Sequence, residues 1–232
     1  EEALSNWGLV LCSQAQTKTG AEADRLRALA EEKYEAALKI KPGDHMALNN
    51  WGIVLSDKAG AKTGADAIRL YALAVEKYEA ALKIRPDAYE VLYNLGNALS
   101  RSAKRKTGAD ADRLYALASE KYHAALKIKQ DNHEVLYNWG LALHDQAKAK
   151  TGAEADRLYA LALEKYEAAL KIKPDKHQAL YNWGLALLDQ AKAKTGAERD
   201  DLLAAAEDKF IQAESLSPGK GAYNLACVAS LR

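Results

Sequence analysis

Between residues 133 and 176 the apolar positions fall into two helical patterns separated by a polar turn. Val135, Leu136, Trp139, Leu141, Ala142 and Leu143 make an apolar surface wider than one stripe. The helix predicted there, from Glu134 to about Lys148, should therefore touch neighbours on two faces. Beyond Lys150-Thr151-Gly152, the residues Leu158, Leu161, Ala162, Tyr166, Ala169 and Leu170 recur at helical spacing. They predict a second helix from Ala153 to about Ile172. Glu167 and Lys171 add an i,i+4 pair in the favoured order, worth about 0.2–0.5 kcal/mol. Pro174 cannot continue the helix, and the next pattern begins at once. Each helix should span about 17–20 residues, roughly 25–30 Å at 1.5 Å per residue.

The same pair of patterns recurs along the chain. Trp7, Trp51, Trp139 and Trp183 lie in Asn-Trp-Gly tripeptides spaced 44, 88 and 44 residues apart, and Asn94-Leu95-Gly96 fills the gap with Leu for Trp. A period in this range marks a repeat array. The units are 1–44, 45–88, 89–132, 133–176 and 177–218, followed by a truncated helix at 219–232. At each helix junction a Thr-Gly-Ala-Glu or Thr-Gly-Ala-Asp recurs, as at Thr19–Glu22 and Thr151–Glu154. Thr followed three residues later by an acid predicts a capping box, with the hydroxyl on an amide of the second helix. Lys-Thr-Gly also occurs in serine β-lactamase motifs, but five copies at helix junctions fit capping. A phosphate loop is excluded because Ala61, not Gly, precedes Lys62-Thr63.

Composition adds exclusions. The 232 residues carry 33 basic and 32 acidic side chains, a net charge of +1, which leaves no broad basic face for nucleic acid. Only 14 Gly and 4 Pro, with 49% hydrophobic residues, agree with helix nearly throughout. Cys12 and Cys227 form no ligand cluster and read as small core residues. His45, His133 and His177 share one repeat register, so helix packing holds them about 10 Å or more apart, too far to share a metal ion. No nucleophile–base or paired-carboxylate constellation stands outside the repeat pattern. No enzyme activity, cofactor or metal is expected. No apolar run approaches the ~18 residues of a membrane span, and no signal peptide opens the chain, so the expected location is cytoplasmic.

In the third unit, Glu90-Val-Leu-Tyr-Asn-Leu-Gly-Asn-Ala-Leu99 resembles the first helix of the tetratricopeptide repeat. Ala118-Ser-Glu-Lys-Tyr-His-Ala-Ala-Leu-Lys-Ile128 resembles its second, and Pro42, Pro86, Pro174 and Pro218 match its closing proline. The resemblance covers all five units and the remnant at 219–232. The usual repeat has about 34 residues, so roughly ten are extra here. They fall in the segment corresponding to Ser100–Leu117 and lengthen both helices across their turn. This extended variant is similar to the long-helix repeats of plant mitochondrial import receptors. The membrane anchor of those receptors is absent from the sequence, so their function is not carried over. The resemblance implies an all-α fold, a right-handed α-solenoid of antiparallel helix pairs forming a single array over 1–232.

It also implies that the first helices line a concave groove that takes a peptide or a partner protein. By register, the groove would carry Asn50, Tyr93, Asn94, Asn97, Arg101, Tyr137, Asn138, Asp145, Tyr181 and Asn182. Tyrosine offers area with few rotors, and asparagine donates and accepts together. The same residues also suit a purely structural role, tying neighbouring repeats together. The third unit diverges most, with Leu95, Asn97 and the basic run Arg101, Lys104, Arg105 and Lys106. That run reads either as an acidic-ligand site or as a solvated helix end beside a negative dipole terminus. The expected function is a protein-interaction scaffold. The alternatives are a structural spacer, a self-associating array or a regulatory segment of a larger protein. The terminal units lack polar caps, so a fragment of a longer protein is expected, with self-association through the uncapped terminal helices. A concentration-independent monomer by light scattering would oppose that association.

Overall fold

A computed structural model describes residues 1–219 and 222–231 and gives the backbone of Ala222 only. The described residues form helices in pairs: α1 (Glu2–Gln16) with α2 (Gly20–Ile40), α3 (His45–Gly60) with α4 (Gly64–Ile84), and α5 (Tyr89–Ala103) with α6 (Gly108–Ile128). Next come α7 (His133–Ala147) with α8 (Gly152–Ile172), α9 (His177–Ala191) with α10 (Gly196–Leu216), and α11 (Ala222–Leu231). The helices predicted in the fourth unit thus lie within a residue of α7 and α8, and Glu167–Lys171 pairs at 2.8 Å. The chain divides into two compact units, Glu1–Ile128 and Lys129–Arg232. In the first, α1, α3 and α5 neighbour one another along one side and α2, α4 and α6 complete the pairs. In the second, α7 and α9 take the former place, with α8, α10 and α11 packed around them.

One contact recurs in every pair. A Cβ placed on Gly52 would lie 2.6 Å from the Tyr78 ring, and one on Gly140 would lie 2.7 Å from Tyr166. Gly8 with Tyr34, Gly96 with Tyr122 and Gly184 with Phe210 repeat the arrangement. The glycine of Asn-Trp-Gly is therefore a seat for the second helix's buried aromatic ring, and all five rings are sealed from solvent. The tryptophan beside it carries a lysine from the second helix over its face. Lys33 lies 4.3 Å from the Trp7 ring, Lys77 3.8 Å from Trp51, Lys165 4.7 Å from Trp139 and Lys209 4.8 Å from Trp183. Each such contact is worth about 0.5–1 kcal/mol at an exposed site.

The predicted capping box does not form. Thr19, Thr63, Thr151 and Thr195 precede their helices in extended backbone without a side-chain cap hydrogen bond. The departure from helical geometry falls one residue later, on Gly152 and its equivalents, which take φ of 59–60°. That left-handed turn swings the threonine hydroxyl away from the amides it was expected to cap. The acid instead pairs with a lysine before the turn: Lys18–Glu22 at 3.1 Å, Lys106–Asp110 at 3.7 Å, Lys150–Glu154 at 3.3 Å and Lys194–Glu198 at 2.8 Å. Such exposed pairs contribute about 0–1 kcal/mol each. Side-chain caps occur on first helices: Asp44 accepts from the amides of Met46 and Ala47, and Asn132 from those of Glu134 and Val135.

Gly152→Ala is expected to cost about 1–2 kcal/mol, the penalty of a Cβ in the left-handed region. No atom lies within 4 Å of the added carbon, so the loss is backbone strain alone. Urea unfolding measures it, and Gly152→Asn should lose less because Asn tolerates this conformation.

Candidate functional site

Asn94, Asn97 and Arg101 lie on one face of α5, spaced three and four residues apart. With Ile53, Ser56 and Asp57 of α3 and Tyr78 of α4 they line a cleft of 160 Å³. That is below the ~300–1,000 Å³ of clefts that hold cofactors and drug-sized ligands, and suits the ends of one or two side chains. The Tyr78 hydroxyl at its base lies 3.4 Å from Ser56 Oγ. Burial and the nearby Asp57 raise the Tyr78 pKa, so its proton stays in place and the pair presents hydroxyls only. On the α5 side, the Tyr122 hydroxyl donates to Asn97 Oδ1 at 2.8 Å, so the NH2 is the group that Asn97, which lines the cleft, has to donate. Asn94 Nδ2 donates to Asn49 Oδ1 at 3.1 Å, and Asn49 Nδ2 donates to Asn50 Oδ1 at 3.2 Å. Asp57 is half-buried, and burial raises its carboxyl pKa while the charges of Arg27 and Arg101 draw it back.

Of the other expected groove residues, Tyr137, Tyr181 and Asn182 make hydrogen bonds that join neighbouring helices. In the second unit Asn182 Nδ2 donates to the Tyr137 hydroxyl at 3.0 Å and to the carbonyl of Gln178 at 2.8 Å. Asn224 Nδ2 donates to the Tyr181 hydroxyl at 2.8 Å, and Asn138 Nδ2 to the carbonyl of Glu134 at 3.0 Å. Tyr137 also lies under the Lys176 ammonium, 4.6 Å from its ring, and that buried lysine pairs with Glu134 at 2.6 Å. Tyr93 and Asp145 are half-buried. The basic run of the third unit is only partly solvated: Arg105 lies 4.9 Å over the Tyr71 ring, and Lys106 pairs with Asp110. Only Arg101 of that run faces the cleft. Ser56 and Tyr78 were not among the expected site residues. Their signal was the recurring second-helix tyrosine at Tyr34, Tyr78, Tyr122 and Tyr166, each under a first-helix glycine.

The second unit has a 280 Å³ cleft between α8 and α9, lined by Lys148, Lys150, Asp156, Tyr159, Asp189 and neighbours. Its charges are already matched. Lys194 Nζ lies 2.9 Å from Asp156 and Gln190 donates to the same carboxylate at 3.1 Å. Asp189 contacts His144 Nε2 at 3.1 Å, Lys192 at 2.7 Å and Lys148 at 3.6 Å. Burial raises the Asp189 pKa, but the hydrogen bonds from His144 and Lys192 and the two lysine charges outweigh it and hold the carboxyl well below its usual range. Burial and both aspartates raise the Tyr159 pKa to about 12.

A depressed carboxyl pKa stabilises the fold above the unfolded value near pH 4, and the gain is lost as pH falls through the lower folded value. Asp189→Asn is therefore expected to cost about 1.5–3 kcal/mol at neutral pH, the range for hydrogen bonds to charged groups. The difference from the parent chain should hold above about pH 5 and shrink toward pH 2. Urea unfolding across that range measures it.

Among the described residues no three His, Cys, Asp or Glu side chains stand where they could hold a metal ion. None of the described helices is long and apolar enough to cross a membrane.

Solved structures share this architecture. A MamA protein matches 96% of this chain and 97% of its own at 18% identity, with a TM-score of 0.62. YrrB, described as a TPR protein with an unusual peptide-binding site, matches 99% of this chain and 91% of its own at 17% identity, also with a TM-score of 0.62. MamA from Desulfovibrio magneticus RS-1 covers 94% and 98% at 16% identity, again with a TM-score of 0.62. No curated protein matches the chain. The helix pairs and these likenesses define an all-α solenoid of the tetratricopeptide class. Within that class the profile of the plant specific mitochondrial import receptor subunit TOM20 matches residues 111–230, just over half of the sequence, and the chain belongs to that family.

Proposed function

We propose that this chain is a non-enzymatic receptor scaffold that holds a segment of a partner polypeptide against its first helices, as part of mitochondrial protein import. The observation that carries this is the cleft between α3 and α5. It gathers Asn94, Asn97 and Arg101, all placed by register among groove residues, around a volume suited to the ends of one or two side chains. Membership of an import-receptor family supports the setting. On this reading the chain acts at mitochondria, in place of the cytoplasmic location expected from the lack of a membrane-length apolar run and of a signal peptide.

A photo-crosslinking amino acid at Asn97 tests the reading directly. Incubated with a radiolabelled mitochondrial precursor, it should yield a precursor adduct. The same group at Glu35 on α2, an exposed second-helix position, should not. Equal yields from both positions would overturn the placement. Recovery of the tagged chain solely in the soluble cytoplasmic fraction would overturn the setting.

A further inference from the structure

Asp57 and Arg101 occupy the same register, five residues after Gly52 and Gly96, with opposite charge. Asp189 takes that register in the fifth repeat and is held there by His144, Lys148 and Lys192. The residues in the corresponding places around Asp57 are Cys12, Gln16 and Gly60, none of which carries a positive charge. Asp57 is thus a half-buried carboxylate whose neighbours in this fold have lost the groups that neutralise it elsewhere. Arg27, the other cation near it, is engaged with Asp24 at 3.5 Å. Across the cleft Arg101 is exposed, and no carboxylate lies within ion-pair distance of its guanidinium among the described residues. The two walls therefore differ in kind. The α3 side offers acceptors, Asp57 with the Ser56 and Tyr78 hydroxyls, and the α5 side offers donors, Arg101 with the Asn97 NH2.

A ligand with only positive charge meets Arg101, and one with only negative charge meets Asp57. Charge-assisted hydrogen bonds are roughly twice as strong as neutral ones, so an occupant bearing both charges gains most. Resting on the reading of this cleft as a contact point for a partner segment, we infer that it selects a segment carrying a basic and an acidic side chain close together. The basic group sits against Asp57, and the acidic group against Arg101 and Asn97.

The test uses blocked peptides with one lysine and one glutamate separated by no, one or two glycines. Controls replace either charged residue by glutamine. Binding to the full chain is read from the side-chain NMR signals of Asn97 and Arg101. At least one mixed-charge peptide should bind roughly tenfold tighter than both controls, equivalent to about 1.4 kcal/mol. Asp57→Asn should abolish the preference for lysine and keep that for glutamate, and Arg101→Gln should do the reverse. Both variants change polar side chains at the cleft and should keep the parent circular dichroism. Peptides that bind with no charge preference, or that ignore both variants, overturn this inference and leave the scaffold reading standing. Peptides that fail to bind while the precursor still crosslinks at Asn97 likewise overturn only the charge assignment. Failure of both experiments overturns both readings.

Discussion

Phe210→Ala is expected to cost about 3–5 kcal/mol, the range for removing a buried aromatic ring. The ring is fully buried beneath Gly184 and packs among Leu187, Leu188, Leu203 and Val228. It also meets Tyr181 edge to face, with centroids 5.8 Å apart. Its removal empties the seam between α9 and α10 and loosens the helix against which α11 packs. In an array stabilised by nearest-neighbour contacts, the loss should begin in the fifth repeat and reach outward from it. Urea unfolding gives the magnitude, and hydrogen exchange resolved by residue gives the location. Phe210→Tyr supplies a contrast. The hydroxyls of Tyr34 and Tyr78 approach Cys12 Sγ at 3.7 Å and Ser56 Oγ at 3.4 Å, but the same register opposite Phe210 holds Leu188. The added hydroxyl would be buried without that partner, at about 1–3 kcal/mol. A tyrosine variant as stable as the parent would contradict this account.

Gly140→Leu is expected to cost about 3 kcal/mol or more. Even its first carbon would stand 2.7 Å from Tyr166, whose ring is fully buried and has nowhere to move. Inserting one methylene into a packed core costs about 1–3 kcal/mol, and leucine adds four carbons. Helix propensity acts the other way, since glycine is about 1 kcal/mol worse than alanine in a helix interior. The net sign therefore tells which effect controls this position. Gly140→Ala should destabilise, against propensity, and should couple strongly to Tyr166→Val. A double-mutant cycle in urea that found the two changes additive would remove the proposed contact.

Much of this structure could be read from one dimension of pattern. Apolar spacing set the bounds of α7 and α8 to within a residue, because amphipathic period and breaker residues act locally. The threonine cap could not be read that way. Its outcome depended on Gly152 adopting φ of 59°, and the same residues would fit a capping box if that glycine were helical. The candidate site was legible in part. Register picked out Asn94, Asn97 and Arg101, but not Ser56 and Tyr78, which reach the cleft from a neighbouring repeat. Nor could register tell that Asn182 donates to Tyr137 while Asn94, bonded to Asn49, also lines a cleft.

The sequence alone determined the repeat period and the helix pairing, since each arises from residues recurring at fixed spacing. The tertiary structure decided which of the equivalent charges are satisfied. Asp57 and Asp189 are the same residue at the same register. One is matched by three neighbours and the other faces an arginine across an open cleft. Electrostatic neutralisation is a property of what packs nearby across repeats, and local sequence carries no record of that distance.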